Sequence, residues 1–456
     1  MDSSKYTKYR PILRRDLDSL PQVRRLDGDT QLAMKAVSAV FPFRTNAYVV
    51  NELIDWDDIP DDPIFQLTFP QRGMLEDEDF AGMADLVRKD TPARQLFAPA
   101  HAIRKRMNPH PAGQMQHNVP RYRGIPLPGI QHKYRDTVLF FPSQGQTCHA
   151  YCTYCFRWAQ FVGDQEMKFS ARETELFHAY LKEHSEVSDV LFTGGDPLIM
   201  KTRHLRDYIE PLLGEDFEHI RHIRLGSKAL SYWPFRFTQG EDADDLLRLI
   251  EEIREAGRLP AVMAHFSHPV ELSTPEVVKA IRRLQGAGAV IRTQAPLVRH
   301  VNDSSTIWAE MWTDQTAQGL VPYYMFVERD TGPKAYFEVP LARALRIFRR
   351  AYRRISGLSR TMRGPSMSAM PGKVQLLDTL EIRGEKYFQL MMLRGRNPEW
   401  AGKSFLARYD DEATWLSHLE PAFGKPAFFW EREMKVMPRR ESVQTELRMG
   451  PTPRAS

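Results

Sequence analysis

Cys148, Cys152 and Cys155 are the only cysteines in the 456-residue chain. The spacing Cys-x3-Cys-x2-Cys sets three thiols on one short loop. Three thiolates so placed can ligate three irons of a [4Fe–4S] cluster and leave the fourth iron open to a small molecule. An open iron gives a cluster a chemical role beyond electron storage. Zinc is the alternative, but structural zinc takes four ligands, commonly as two pairs. The fourth would have to be His149, which lies between two of the cysteines, and no second cysteine pair exists. An odd, tightly clustered set of cysteines also argues against a disulfide framework.

Such a loop needs a rigid scaffold. From about Asp136, short apolar runs alternate with amphipathic segments. The predicted strands are Val138–Phe141, Val190–Thr193, Ile223–Gly226, Ala261–Phe266, Ala289–Gln294 and Val321–Phe326. Each is short and mostly apolar, as buried parallel strands are. Helix signals lie between them. Ser170 with Glu173 fits a capping box. Ser273-Thr274-Pro275-Glu276 offers an N-cap and a first-turn proline ahead of the apolar stripe Val277, Val278, Ile281 and Leu284. Leu246, Leu249, Ile250 and Ile253 form another stripe. Six βα units in succession imply a parallel sheet with helices outside, either open and doubly wound or curved into a full or partial barrel. In both, the active site lies at the C-terminal ends of the strands. The cysteine loop follows the first strand, and Thr193-Gly194-Gly195-Asp196-Pro197 ends the second.

Three regions result: 1–120, charged and helical, with helices near Asp29 to Val40 and Asp79 to Lys89; 121–355, the alternating unit; and 356–456. After about Ser356 the alternation stops, giving a Gly/Pro/Met-rich loop, an aromatic-rich segment and a charged tail whose last dozen residues are expected to be disordered. The net charge of +5 is modest for this length. The densest basic stretch, Arg343 to Arg354, has apolar residues at helical spacing and reads as a solvated helix face, so no nucleic-acid partner is expected. No apolar run is long enough to span a membrane, and the N-terminus lacks the apolar core of a secretory signal. The expected location is cytoplasmic.

With Tyr154 just before the third cysteine and a Gly-Gly-Asp turn one βα unit later, the chain resembles the radical SAM enzymes. The resemblance implies an α/β fold built on a partial (βα)6 barrel, with an N-terminal helical extension and a C-terminal α+β extension. It implies S-adenosylmethionine bound at the open iron and contacted by Tyr154, Gly194, Gly195, Asp196, His265 and Gln294. It also implies an external one-electron donor such as flavodoxin or ferredoxin. Further matches, roughly from Gln131 to Val374, point to the lysine 2,3-aminomutase group: His132-Lys133-Tyr134-Arg135-Asp136, Cys155-Phe156-Arg157, Arg224-Leu225-Gly226-Ser227, His265-Phe266-Ser267-His268-Pro269, Val301-Asn302-Asp303, Pro322-Tyr323-Tyr324 and Pro371-Gly372-Lys373.

Members of that group also hold pyridoxal 5′-phosphate and move an α-amino group to the β-carbon. The resemblance makes Lys373 the Schiff-base lysine, Lys133, Tyr134 and Arg135 the phosphate ligands, and Arg157 the grip on the substrate carboxylate. The group's glycine run before the lysine is Met367-Ser368-Ala369-Met370-Pro371-Gly372 here, and one of its phosphate arginines is Thr137. Lysine-acting members place aspartates at the positions of Arg329 and Ser366. A cation and a neutral hydroxyl there disfavour a cationic side chain and favour an anionic one. The expected reaction is therefore L-glutamate to β-glutamate. Glu328 and Asp330 flank Arg329, so a slip of one residue would restore an acid. Lysine or another α-amino acid as substrate, including a lysine later attached to a translation factor, is the alternative, as is a PLP-independent radical reaction. An iron–sulfur electron carrier or redox sensor is the reading from another class. The cysteine zinc site at the subunit contact of lysine-acting members has no counterpart, so a homo-oligomer would use other contacts.

Overall fold

The computed structural model describes Tyr6, residues 8–163, Ser170 and residues 174–436. One eleven-stranded sheet organises the chain, and its spatial order follows its sequence order. The strands are β1 (Ile130–Tyr134), β2 (Thr137–Phe140), β3 (Asp189–Phe192), β4 (His222–Ser227), β5 (Leu259–His265), β6 (Val290–Leu297), β7 (Val321–Val327), β8 (Arg363–Ser368), β9 (Gly372–Ile382), β10 (Glu385–Gly395) and β11 (Ser404–Arg408). Neighbours from β2 to β8 pair in parallel. Strand β1 pairs antiparallel with β2, and β8 to β11 run antiparallel.

Helices 174–183, 202–209, 241–255, 275–286, 305–317 and 341–354 make the crossovers between successive parallel strands. Local sequence sets their ends. Thr274 caps the fourth by accepting from the Val277 amide, with Pro275 at its first position, and Val277, Ala280, Ile281 and Leu284 are buried beneath it. These side chains join the sheet's core with Leu246, Leu249, Ile250 and Ile253. Burying each such side chain fully stabilises the packing by about 1.5–3 kcal/mol. Glu173 of the expected capping box lies outside the described residues, as does the end of the charged tail.

All six predicted strands are present. A seventh parallel strand, β8, lies where the sequence suggests only a loop. Gly364 and Pro365 hide it, because neither favours a strand. The glycine is required: a Cβ at 364 would stand 2.7 Å from the Met325 carbonyl oxygen on β7.

The N-terminal helices are Gly28–Val40, Asp77–Arg88 and Ala93–Arg106, with shorter ones between. Their apolar sides do not form a separate core. Phe41, Tyr48, Phe65 and Phe69 share one cluster with Tyr154, Trp158, Tyr232 and Trp233, so this region packs on the cysteine loop. A further core under β9 to β11 contains Leu376, Phe388, Trp400 and Trp415. Among the described residues no helix is long and apolar enough to cross a membrane.

Candidate active site

The cysteine loop leaves the C-terminal end of β2 and meets the turn after β3. The meeting is close: a Cβ on Gly195 would lie 2.3 Å from the Thr147 carbonyl oxygen, so only glycine fits. The Asp196 amide donates to that same carbonyl at 2.7 Å. The buried Asp196 carboxylate accepts from the Leu198 amide, the Ser227 hydroxyl and the Lys228 amide, each at 2.9 Å. Its side chain thus ties β3 to β4, and the turn offers backbone toward the loop.

Residues from the N-terminal region hold the other side. The Tyr9 hydroxyl donates to the His149 carbonyl at 3.0 Å. Asn46, fully buried, donates through Nδ2 to the carbonyls of His149 and Tyr232, both at 3.1 Å. The Tyr151 amide donates to Arg44 and the Thr153 amide to Leu67, both at 2.9 Å. The Thr153 hydroxyl reaches the Gln66 carbonyl at 2.7 Å. His149 packs edge-on to Tyr9, with ring centroids 5.0 Å apart, and burial pushes its imidazole down to about 3.

The three thiols are partly buried and close enough to act on one another's charge. Burial pushes Cys148 well up, and negative charge at Asp196, Cys155 and Cys152 adds to it. Burial, then Cys152, raises Cys155 to about 12. Arg44, Lys228 and Arg157 act on the three thiols in the opposite direction, and metal ligation deprotonates such groups outright. No group of three or more His, Cys, Asp or Glu side chains among the described residues could hold a single metal ion. The donor set fits a cluster spread over three irons.

Beside the pocket, the Tyr154 hydroxyl lies 3.1 Å from His265 Nε2 and 2.8 Å from the Ser267 hydroxyl. Gln294 on β6 is the cross-strand neighbour of His265. A buried ion pair, Lys228 with Glu271 at 2.5 Å, lies beneath them.

A second chamber is lined by cations. Lys373 opens β9 opposite Ser368 and Arg394. Its Nζ sits 3.9 Å over the Tyr324 ring and 5.0 Å from Phe326. Burial, followed by the charges of Arg394, Arg224, Arg363 and Arg329, lowers its amine to about 7. Lys133 donates to the Ala369 carbonyl, and burial with Arg396, Arg329 and Lys373 pushes its amine well down. Arg329 donates to the Ser368 carbonyl at 2.8 Å and lies 4.8 Å over Phe156. Arg157 stacks 4.0 Å over Phe141, and its lowered pKa, about 9, reflects burial first, then opposing effects of Cys155 and Arg329. It therefore stands between the thiols and the cations.

Buried polar atoms without a hydrogen-bond partner in these segments include Tyr134 Oη, Arg329 Nε and Ser366 Oγ, together with carboxylate oxygens of Glu328 and Asp330. Buried polar atoms are normally satisfied, so unpaired ones beside gathered cations suit an anionic guest. The sequence reading omits Arg394. Its guanidinium lies 4.3 Å over Tyr134 and reaches Thr137 Oγ1 at 3.1 Å while pairing with Asp136. Arg394 thus brings a cation to Thr137. Arg135, expected among the phosphate ligands, is exposed on the β1–β2 turn and is not brought in. A turn residue follows its local backbone, whereas Arg394 arrives from the distant hairpin β9–β10.

A thiol triad at the strand ends lies beside a cluster of depressed amines and guanidiniums. No family model matches the chain. A protein of Aquifex aeolicus (strain VF5) that bears the provisional name L-lysine 2,3-aminomutase is 29% identical over 395 residues, 86% of this chain and 92% of that one. The glutamate 2,3-aminomutase of Clostridioides difficile (strain 630) is 25% identical over 84% of this chain and 78% of its own. The L-lysine 2,3-aminomutase of Bacillus subtilis (strain 168) is 29% identical, over 49% of this chain and only 44% of that enzyme. Among solved structures, a radical SAM methyltransferase from Sphaerobacter thermophilus matches with a TM-score of 0.35 and 16% identity, covering 49% of this chain and 66% of that one. Over most of its length the chain is thus similar to proteins named 2,3-aminomutases, which are isomerases.

Proposed function

We propose that this protein is a radical SAM, pyridoxal phosphate-dependent 2,3-aminomutase that converts L-glutamate to β-glutamate. The observation that carries this reading is the placement of Arg157 and Arg329 in one chamber with Lys373. An α,ω-dicarboxylate needs two cations, one for each end, and a guanidinium can pair both oxygens of a carboxylate. Of the flanking acids, only Glu328 faces elsewhere. Glu328 is buried near Glu338, Lys334 and Arg299, and Asp330 lies near Lys334 and His418 as well as Arg329. A lysine side chain would meet the Arg329 guanidinium, with Asp330 as its counter-charge.

The parallel strands β2 to β7 and the helices that follow them support a partial (βα)6 barrel over 121–355, with 1–120 as an extension. Region 356–456 completes the chamber through Ser366, Lys373 and Arg394. Cys148, Cys152 and Cys155 would hold the cluster, and the backbone at Gly194, Gly195 and Asp196, with Tyr154, His265 and Gln294, would border S-adenosylmethionine. When bound, these groups supply a carbon-centred radical and a conjugated ring that delocalises it. Lys373, with its amine lowered to about 7, is a nucleophile at neutral pH and would anchor the pyridoxal ring. Lys133, Tyr134 and Arg394 would bind the phosphate. Arg157 and Arg329 would fix the substrate at both ends, and Phe156 would keep water from the space between them.

Anaerobically reconstituted protein should carry iron, sulfide and pyridoxal phosphate, and should turn L-glutamate into β-glutamate, read by NMR. Conversion of lysine but not glutamate would overturn the substrate assignment.

A further inference from the structure

We infer that Tyr232 tunes the redox potential of the site by donating a hydrogen bond to the sulfur of Cys152. The inference rests on the cluster reading of the three cysteines and adds a residue outside the motif. Tyr232 Oη lies 3.1 Å from Cys152 Sγ. A metal-bound thiolate has no proton, so the hydroxyl is the donor. The side chain is 1% exposed, so no bulk water competes for its hydroxyl.

The geometry is fixed from three sides. Tyr232 ends the short helix Ala229–Tyr232, and its amide donates to the Lys228 carbonyl at 3.0 Å. Its own carbonyl accepts from Asn46 Nδ2 at 3.1 Å. The Lys228 ammonium lies 4.7 Å from the ring centroid and is itself held by Glu271. The hydroxyl is therefore aimed by its surroundings rather than by chance.

The consequence follows from charge. A low-potential one-electron donor adds one electron to the oxidised cluster, and part of the added charge falls on the cysteine sulfurs. A hydrogen bond to one sulfur stabilises the reduced state more than the oxidised one, which raises the potential. Tyr232 is a positioning residue here, because it acts through Cys152 and touches no reacting atom.

The test is an anaerobic redox titration of the reconstituted full chain, followed by electron paramagnetic resonance, for wild type and Tyr232→Phe. Phenylalanine keeps the ring and removes only the hydroxyl. At a fixed applied potential near the midpoint, the ratio of reduced to oxidised cluster should fall by up to about tenfold, ~59 mV for a one-electron couple. An exchangeable proton coupled to the reduced cluster should disappear in the variant. A fluorinated tyrosine at 232, a stronger donor, should move the midpoint the opposite way. Tyr208→Phe, whose hydroxyl bonds Gln144 instead, should leave it unchanged. Equal midpoints in wild type and Tyr232→Phe, with iron and sulfide intact in both, would overturn the inference alone. Wild-type protein that binds no iron and sulfide would instead overturn the cluster reading beneath it.

Discussion

The cysteine pocket and the cation chamber are incomplete in opposite senses. In the pocket, after burial, Asp196, Cys155 and Cys152 raise the proton affinity of Cys148, and Cys152 raises that of Cys155. In the chamber, after burial, neighbouring cations lower that of Lys133 and Lys373, Arg329 acting on both. Arg157 feels both, pulled up by Cys155 and down by Arg329. Burying like charges is costly unless a partner neutralises them. The pocket asks for cations and the chamber for anions, so the fold reads as a frame for two guests side by side.

The largest expected effect breaks one half and spares the other. Cys152→Ala should lose iron and sulfide to background and abolish isomerisation, while pyridoxal phosphate still binds. Lys373→Ala should do the reverse, keeping the cluster spectrum and losing tightly held pyridoxal absorbance. If either substitution empties both halves, the two sites are not separable.

Lys373 also gives the chamber a pH signature. Its amine attacks only when neutral, and its pKa is lowered to about 7 from 10.5. Capture of pyridoxal phosphate by the cofactor-free protein should rise with pH, half-maximal near 7. The unfolded chain binds the extra proton between 7 and 10.5, so this group makes the cofactor-free fold more stable as pH rises through that window. A capture midpoint near 10 would show that the chamber does not depress the amine.

Arg329 sharpens what the chamber selects. Arg329→Ala should lower kcat/KM for glutamate by about a hundredfold, ~3 kcal/mol, as expected for removal of one member of a desolvated charge pair. Arg329→Asp should shift preference toward lysine. Equal activity on glutamate in all three proteins would remove Arg329 from the substrate pocket.

The two halves were unequally legible in the sequence. The pocket is local: eight residues hold the thiols, and the Gly-Gly-Asp turn follows at a fixed place after the next strand. The expected triad needed no long-range information. Apolar runs also marked six of the seven parallel strands, because buried strands are continuous and hydrophobic. Strand β8 escaped because Gly364 is present for a close backbone approach and not for propensity. The chamber is non-local, drawn from β1, the cysteine loop, β7, β8, β9 and β10. Resemblance supplied Lys133, Arg157, Arg329 and Lys373, but nothing near Thr137 hints that Arg394, on a hairpin 257 residues away, reaches it. The role of the N-terminal region was equally invisible. Its contacts with the cysteine loop are mostly backbone carbonyls, which any sequence carries.

Asn46 tests that last point. Asn46→Ala removes the donor shared by the His149 and Tyr232 carbonyls, and leaving such buried groups unpaired costs about 1–3 kcal/mol. Cluster release to an iron chelator should speed up several-fold in this variant, with pyridoxal affinity unchanged. Parallel loss of both guests would mean that Asn46 supports the whole fold and not the pocket.

The smallest effect separates expectation from structure at the phosphate end. Arg394→Ala should weaken pyridoxal phosphate binding about tenfold, the scale of one charge-assisted hydrogen bond at ~1.5 kcal/mol. Arg135→Ala, at an exposed turn, should change it by no more than about twofold, within the ~0.5 kcal/mol usual for surface positions. Direct titration of the cofactor-free proteins reads both. A larger loss at Arg135 than at Arg394 would return the phosphate to the turn between β1 and β2. Arg394 would then be a strut that ties β10 to Asp136, with no part in binding.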